Sequence, residues 1–335
     1  MFYIIGIIKV IILIGFLIFI HEGGHCLVAK HFKITVREFA IGFGPKLISK
    51  KAKSGTTYTL RLVPLGGFCD MLGEDQRSDE EGSFSKASPA KRLAVLFAGP
   101  GVNIIFGIIV YFFVAFCGPK VMPVVDYISD EYKANLAGLE SGDRVLEIDG
   151  HEIVVKTDID KHVIRCEGRK LEMKIQKPDG KIETIIVTPT DIGGRYVLGV
   201  MSKEDENTLE NCFKYGYHDT VNFLINIGDN VKQLLTGHVR AEQMMGPVGI
   251  SNVVMGSEGA YEFFYLLALI SISLGITNLL PIAILDGGKI VIVLIEMVRK
   301  KPLPEKVEEV YNEIGFLLII GIAIAVCILD INRIV

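Results

Sequence analysis

Long apolar runs dominate the hydrophobic pattern of the chain. The first 20 residues are apolar apart from Lys9, and two later stretches carry no charge, 25 residues from Leu93 to Cys117 and 23 from Phe263 to Leu285. A fourth run, Ile314 to Leu329, has 16 uncharged residues. Because a helix needs about 20 apolar residues to cross a bilayer, the first three runs predict transmembrane helices. The fourth is long enough only if its flanks contribute.

The first run has a competing interpretation as a secretory signal peptide. Such a peptide has a basic start, a shorter apolar core and a cleavage site of small residues, and the first 20 residues show none of these features. We therefore predict a polytopic α-helical membrane protein with about four transmembrane helices. With their flanks, the predicted spans are residues 1–30, 91–118, 260–288 and 314–335.

The segment between the first two spans, residues 31–90, has a strand pattern. Ile34–Ile48 and Thr56–Phe68 are predicted strands on either side of a turn at residues 51–55. This pattern predicts a β-hairpin region between two transmembrane helices.

The segment after the second span changes character twice. Residues 121–203 alternate as short strands, which is typical of a small soluble α+β domain inserted between spans. Its predicted turns are Ser141-Gly142-Asp143, Asp149-Gly150 and Pro178-Asp179-Gly180. Residues 208–256 follow as an amphipathic helix, at about 208–238, and a linker. This helix could pack on the small domain or lie in the membrane interface, and we favour the interface because the helix leads directly into a span.

Composition narrows the class of protein. Half of the residues are hydrophobic, 22% are charged and the mean hydropathy is +0.42, which excludes a simple cytosolic enzyme. The formal net charge of −4 excludes a protein that binds nucleic acid through overall basicity, so we expect no nucleic-acid partner. The six cysteines are scattered without a C-x-x-C pair, and we interpret them as free thiols.

The basic residues of the loops predict the orientation in the membrane. Residues 30–92 hold twelve Lys or Arg and residues 289–308 hold five, whereas the C-terminal tail holds only Arg333. By the positive-inside rule, the hairpin region and the loop at 289–313 face the cytoplasm. Both termini and the long segment 118–262 then face outside. We expect a multi-pass protein of the cell membrane, with the lipid bilayer as a partner.

The sharpest chemical signal is His21-Glu22-Gly23-Gly24-His25 at the end of the first span. Positions i and i+4 of a helix share one face, so both imidazoles can bind one metal ion. Zinc suits imidazole and carboxylate ligands and keeps one position for water at a catalytic site, and Glu22 can take a proton from that water. A chance match is the alternative, but ionisable side chains are costly in an apolar span and are usually functional there.

A third protein ligand is needed, and two candidates exist. His31 has the spacing of a longer zinc-protease pattern, but that pattern needs a glycine where this chain has Val28, so on an unbroken helix His31 lies on a different face. Asp286 is the better candidate, because it lies at the cytoplasmic end of the third span, at similar depth to His21 and His25. Pro281 breaks the hydrogen bonding of that span, which is tolerated against protein or a wet cavity.

These motifs resemble the site-2 protease family of intramembrane zinc metalloproteases, especially the bacterial branch with an extracytoplasmic PDZ domain. The likeness covers nearly the whole chain. His21 to His25 fits the zinc motif of the family, and Asn278-x-x-Pro281-x-x-x-Leu285-Asp286-Gly287 fits its second motif. Ala98-Gly99-Pro100 and Asn103 fit a further feature in the second span.

The resemblance implies a function and the residues that perform it. His21, His25 and Asp286 would bind Zn²⁺, and Glu22 would be the catalytic base. Asn278, with Pro281 in the same motif, would help to hold the substrate. The substrates implied are single-span membrane proteins such as anti-sigma factors, or signal-peptide remnants, cleaved near the cytoplasmic side of the membrane.

Two soluble regions also resemble parts of the family. The hairpin region would dip into the membrane and pair with an unwound substrate by strand addition, although a plain cytoplasmic hairpin is the alternative. Residues 137–150, Ala137-Gly138-Leu139-x-x-Gly142-Asp143-Arg144-Val145-x-x-Ile148-Asp149-Gly150, resemble bacterial PDZ domains, and Gly194 to Gly199 would supply a late strand. This domain would either exclude substrates with large outer segments or bind peptide tails.

Two other classes of protein compete with a protease. A catalytically inactive membrane scaffold would act through its PDZ domain alone, but it need not keep both Glu22 and Asp286. A metal transporter would show further polar ligands along its spans, and those runs carry few. The sequence therefore favours the enzyme.

Overall fold

The computed structural model describes residues 2–74, 76–129, 138–192, 195–237 and 245–334. Ala137 and Gly194, which take part in the PDZ resemblance, lie outside these ranges. The chain divides into two compact units, one formed by Met1–Val110 with Arg240–Val335 and the other by Tyr111–Val239. The first unit holds both metal motifs.

The helices and strands are numbered in chain order. The helices are α1 (Phe2–His31), α2 (Pro89–Cys117), α3 (Lys156–Arg165), α4 (Leu209–Thr236), α5 (Pro247–Gly256), α6 (Gly259–Asn278), α7 (Asp286–Arg299) and α8 (Glu305–Ile334). The strands are β1 (Val36–Lys51), β2 (Thr57–Met71), β3 (Val121–Ile128), β4 (Arg144–Ile148), β5 (His151–Glu152), β6 (Leu171–Gln176), β7 (Ile182–Val187), β8 (Thr190–Ile192), β9 (Arg195–Val197) and β10 (Val200–Glu204).

Among the described residues, four helices are long and apolar enough to cross a membrane: α1, α2, α6 and α8. They correspond to the four predicted spans, but two of their boundaries differ. Helix α8 begins at Glu305, so the predicted cytoplasmic loop 289–313 is mostly helical and only residues 300–304 join α7 to α8. The first turns of α8 contain charged residues, so the hydrophobic pattern did not show where this helix begins.

The third span also ends earlier than its apolar run predicts. Helix α6 stops at Asn278, and Asp286 opens α7 instead of closing the span. Pro281 explains the stop, because proline donates no backbone hydrogen bond and disfavours helical backbone in the preceding residue. Asp286 then lies in the first turn of α7, where a carboxylate is favoured by the helix dipole.

Small residues bring α1, α2 and α6 close together. A Cβ atom on Gly24 of α1 would lie 2.6 Å from the carbonyl oxygen of Ala98 in α2. Between α2 and α6, a Cβ atom on Gly107 would lie 2.8 Å from the carbonyl oxygen of Ala268, and one on Gly275 would lie 2.7 Å from that of Pro100. All three distances are shorter than side chains tolerate, so these glycines set how closely the three helices pack.

Strands β1 and β2 form an antiparallel hairpin whose strands fold back on themselves. The first part of β2, residues 57–60, pairs with the end of β1, residues 48–51. It also pairs with the first part of β1, residues 38–41. That part of β1 pairs on its other side with the end of β2, residues 67–70. Within this ladder, residues 67–70 have a pairing partner on one side only. They therefore form an edge of the hairpin.

Glu38 holds the two strands of this hairpin together. Its carboxylate accepts hydrogen bonds from Lys46 at 2.9 Å, Thr59 at 2.6 Å and Arg61 at 2.7 Å. Burial of the carboxyl raises its pKa, but these three donors outweigh the effect and lower the pKa of Glu38 to about 2. The carboxylate is therefore charged at neutral pH, which keeps all three bonds charge-assisted.

The second unit contains a six-stranded antiparallel sheet, ordered β10-β3-β4-β6-β7 with β5 on β4, and the small pair β8-β9. Its core includes Leu139, Ile148, Leu171 and Met173, all nearly inaccessible to solvent. The predicted turns are present, with positive φ at Gly142, Gly150 and Gly180.

Helix α4 belongs to the second unit and contacts α3 through polar side chains. Asn222 donates to Asp158 at 2.8 Å, Lys161 donates to the side-chain Oδ1 atom of Asn222 at 3.0 Å, and Thr157 donates to Asp219. The predicted helix is present. Its polar face packs on the small domain, and a place in the membrane interface stays a prediction for its other face.

Candidate metal centre

Three side chains from two distant helices converge at one point in the first unit. The Nε2 atom of His21 lies 3.1 Å from Asp286 Oδ2, and the Nε2 atom of His25 lies 3.4 Å from the same oxygen. The two imidazole nitrogens are 3.3 Å apart. His21 and His25 are one turn apart on α1, and Asp286 is the first residue of α7.

These distances fit a tetrahedral zinc site. Ligand atoms about 2.1 Å from a shared zinc ion are about 3.4 Å from one another in tetrahedral geometry. The three observed separations, 3.1, 3.3 and 3.4 Å, match that spacing. Two imidazoles and one carboxylate are also a donor set that zinc prefers, and they leave the fourth position open.

Residues of helix α2 contact the Nδ1 atoms of both imidazole rings and so orient them. His25 uses its Nδ1 atom to contact the backbone carbonyl of Val95 at 2.8 Å, which leaves Nε2 facing His21 and Asp286. A Cβ atom on Gly99 would lie only 2.3 Å from His25 Nε2. The ring of His25 therefore fits only because position 99 has no side chain.

Asn103 provides the matching contact for His21. Its amide nitrogen lies 3.4 Å from His21 Nδ1, its side chain is fully buried, and its Oδ1 atom has no hydrogen-bond partner. The two ends of an amide exchange by a simple flip. With Oδ1 turned to His21, Asn103 would accept a hydrogen bond from the Nδ1 proton and would leave Nε2 available to bind a metal ion, a common arrangement behind histidine ligands.

A polar cavity of about 430 Å³ opens beside the three side chains. Glu22 and Asn278 line it, as does the β2 edge from Phe68 to Met71. Pro281 is exposed and is absent from the lining residues, and His31 is exposed at the end of α1. Of the residues singled out from sequence, the structure thus gathers His21, Glu22, His25, Asn278 and Asp286.

The loop before Asp286 is held in an unusual conformation. Ile284, which also lines the cavity, has φ at +81°, a conformation that costs a β-branched residue about 1–3 kcal/mol. Next to the loop, a Cβ atom on Gly287 would lie 2.2 Å from the carbonyl oxygen of Leu280. Glycine at 287 therefore allows α7 to start against the loop, which places Asp286.

Two charged residues of the cavity were not apparent from sequence. Lys289, one turn after Asp286, forms an ion pair with Glu74 at 2.7 Å, and both line the cavity. They are distant in sequence and belong to no recognised motif. Gly99 and Asn103 were noted in the sequence, because they fit a family feature of the second span. That resemblance did not predict their contacts with the two histidines.

The fold and the site define a class of protein: a multi-pass membrane protein with a metalloprotease type of centre, made of an HExxH helix and a distant carboxylate. The model of peptidase family M50 matches residues 9–322. The chain belongs to this family, the site-2 protease family of zinc metalloproteases.

Individual relatives agree with the family assignment over the full length. The chain is 30% identical to zinc metalloprotease RasP of Geobacillus kaustophilus, with 98% of each chain covered. It is 33% identical to a protein of Clostridium acetobutylicum, with 97% of each covered, and 32% identical to one of Campylobacter jejuni, with 100% of this chain and 95% of the relative covered. Both of these carry provisional zinc metalloprotease names.

Proposed function

We propose that this protein is an intramembrane zinc endopeptidase, which hydrolyses peptide bonds within or near the transmembrane segments of single-span membrane proteins. The observation that carries the proposal is the convergence of His21, His25 and Asp286 beside a polar cavity, with His21 and His25 on one of the four long apolar helices. Ionisable groups in such a setting are costly and usually functional.

His21, His25 and Asp286 are the proposed zinc ligands. Asn103 and the carbonyl of Val95 would fix the two imidazole rings. Bound zinc supplies Lewis acidity, which polarises the scissile carbonyl and lowers the pKa of water.

Glu22 is the proposed catalytic base. It follows the ligand His21 directly and lines the cavity, so it can accept a proton from the attacking water. It would then deliver that proton to the amide nitrogen that leaves. An amide at this position could do neither.

The substrate would bind as an extended strand. A helix keeps its carbonyl groups in its own hydrogen bonds, so a transmembrane substrate must unwind before hydrolysis. Residues 68–70 of the hairpin edge line the cavity, and they would offer backbone groups for strand addition. Asn278 lines the same cavity and could bind the substrate backbone, whereas Pro281 would act through the break that it imposes on α6.

The proposed orientation places the metal centre near the cytoplasmic side, with both termini and residues 121–203 outside the cell. Strand β1 of the hairpin has exposed apolar side chains, among them Phe43, Leu47 and Ile48. They support a membrane-associated position for the hairpin. We assign the small outer domain to the PDZ class, and anti-sigma-factor-like proteins or signal-peptide remnants to the substrates.

Cleavage in a defined membrane tests this function. Purified protein is reconstituted in vesicles of phosphatidylethanolamine and phosphatidylglycerol with a tagged single-span protein whose outer segment has been shortened. We expect cleavage inside the span, its loss with a zinc chelator, and its return with added zinc. Chelator-resistant cleavage, or cleavage confined to residues outside the membrane, would contradict the proposal.

A further inference from the structure

Two groups of ion pairs connect α7 with the loop that follows β2 and with the start of α2. The first is the pair of Lys289 Nζ and Glu74 Oε1 at 2.7 Å. Glu74 comes three residues after the end of β2, and Lys289 comes three residues after Asp286. This contact therefore connects the end of the edge strand with the helix that begins at the proposed third ligand.

The second group is centred on the buried carboxylate of Glu296 and lies further along α7. Glu296 accepts hydrogen bonds from Arg77 at 3.0 Å, from Arg92 at 2.6 Å and from the backbone of Leu303 at 2.9 Å. Burial of this carboxyl raises its pKa, but the donors outweigh that effect and the pKa is lowered overall. Arg77 therefore holds the loop on α7 independently of Lys289, and Arg92 adds a contact from α2.

The position of the first pair distinguishes it from the second. Glu74 and Lys289 both line the cavity, and their side chains are 13% and 35% exposed. Among the described lining residues, Lys289 is the only lysine or arginine, against the carboxylates of Glu22, Asp70, Glu74 and Asp286. The pair therefore lies in the wall of the cavity that residues 68–70 of the hairpin edge and the proposed metal ligands also line, where a bound substrate strand would contact it.

We propose that the Glu74–Lys289 pair is a positioning clamp that sets the register of the substrate strand relative to the metal, and so determines which peptide bond is cleaved. This inference rests on the proposed function. Neither residue takes part in bond cleavage; both are positioning residues. The pair fixes the distance from the edge strand to α7, and the chemistry then occurs at whichever substrate carbonyl reaches the metal.

The geometry of strands predicts how an error in register would look. A shift of one residue turns every side chain to the other face of the strand, whereas a shift of two residues keeps the pairing pattern. A loosened clamp should therefore yield a second product displaced by two residues, a movement of roughly 6.5 Å along the strand. A loss of one partly exposed ion pair should reduce discrimination between the two registers by about threefold to fivefold.

The test uses the full chain in the vesicles and with the single-span probe described above. Lys289→Met and Glu74→Gln each break the pair, and the double variant Glu74→Lys with Lys289→Glu restores it with reversed charges. Lys301→Met is the matched control, since it removes an exposed charge just beyond α7. Mass spectrometry locates the cleaved bond, and atomic absorption measures zinc per protein.

We expect both single variants to keep zinc and to release the additional product, two residues away. The reversed pair should return cleavage to one bond, and Lys301→Met should behave as wild type. A merely structural ion pair would lower the rate or the stability without moving the cleaved bond.

Several results would overturn the clamp while leaving the protease intact. Cleavage at one unchanged bond in both single variants would do so, as would a reversed pair that behaves like Lys289→Met, which would indicate direct contact of Lys289 with substrate. Zinc loss in Lys289→Met would assign the pair to metal binding instead. If the zinc-loaded wild type cleaves nothing, the proposed function itself fails, and the clamp with it.

Discussion

At the scale of single residues, the site combines groups that sequence predicts with groups that it does not. His21 and His25 share a helix face by their spacing alone, and Asp286 follows from the matching depth of two motifs. The contacts of Asn103 and of the Val95 carbonyl with the imidazoles could not be predicted. They depend on where α2 crosses α1, and neither residue has a metal-binding signature of its own.

The proposed role of Asp286 as the third ligand can be tested with two substitutions. Asp286→Ala should lower both zinc content and cleavage, because it removes the oxygen that lies 3.1 and 3.4 Å from the two imidazoles. His31→Ala should spare both properties, because His31 is exposed at the end of α1. Zinc per protein is measured on both purified variants. Equal loss in the two would favour the arrangement with three histidines.

At the scale of elements, hydrophobic runs locate the helices but do not fix their ends. The apolar run of the third span continues past Asn278, yet α6 stops there because Pro281 follows. The hairpin strands were predicted to within a few residues. Their double pairing was not, because it depends on how a long strand bends and not on which residues favour a strand.

The close packing of α1 on α2 gives a prediction with a control in the same helix. Gly99→Ala should weaken zinc binding by about tenfold, typical of a disturbed ligand orientation, because its Cβ atom would displace the His25 ring. Gly101→Ala should leave zinc affinity unchanged, since no atom lies within 4 Å of a Cβ atom there. Competition with a zinc-binding dye measures both affinities. A similar decrease in the two variants would argue against the proposed packing.

The strained loop predicts opposite effects on stability and activity. Ile284→Gly should raise the unfolding temperature of the zinc-loaded protein, because glycine tolerates the positive φ of 81° at this position. The same change should reduce cleavage, since the Ile284 side chain lines the cavity.

A neighbouring isoleucine serves as the control for this substitution. Ile282→Gly removes a partly buried side chain and should lower the unfolding temperature. Thermal unfolding in detergent compares both variants with wild type. If Ile284→Gly proved as destabilising as Ile282→Gly, the strain at Ile284 would be disproved.

At the scale of the whole molecule, the proposed orientation predicts that catalysis and selection of substrates occur on different sides of the membrane. Under the positive-inside rule, residues 121–203 would lie on the opposite side from both metal motifs, so we expect them to supply no catalytic group. A folded domain there can act as a size filter for outer segments of substrates or as a binding site for peptide tails. The two roles predict opposite results when the domain is removed.

We predict that residues 121–203 act as a size filter for the outer segments of substrates. Replacing residues 121–203 with a short flexible linker should leave cleavage of shortened substrates intact and should permit cleavage of full-length ones. The polar face of α4, freed from α3, would then be solvated by water. Electrophoresis of both substrates in vesicles measures the outcome. Loss of cleavage of the shortened substrate, with zinc content and membrane insertion unchanged, would instead make the domain a recruiter.

The central claim is that Glu22 acts as the base beside a zinc ion held by His21, His25 and Asp286. Its most direct test is the zinc content and cleavage rate of Glu22→Gln, measured on the same purified sample in vesicles. We predict zinc equal to wild type and no detectable product, because the amide leaves the ligands in place but cannot take a proton. Cleavage at the wild-type rate would contradict the account, and so would loss of zinc.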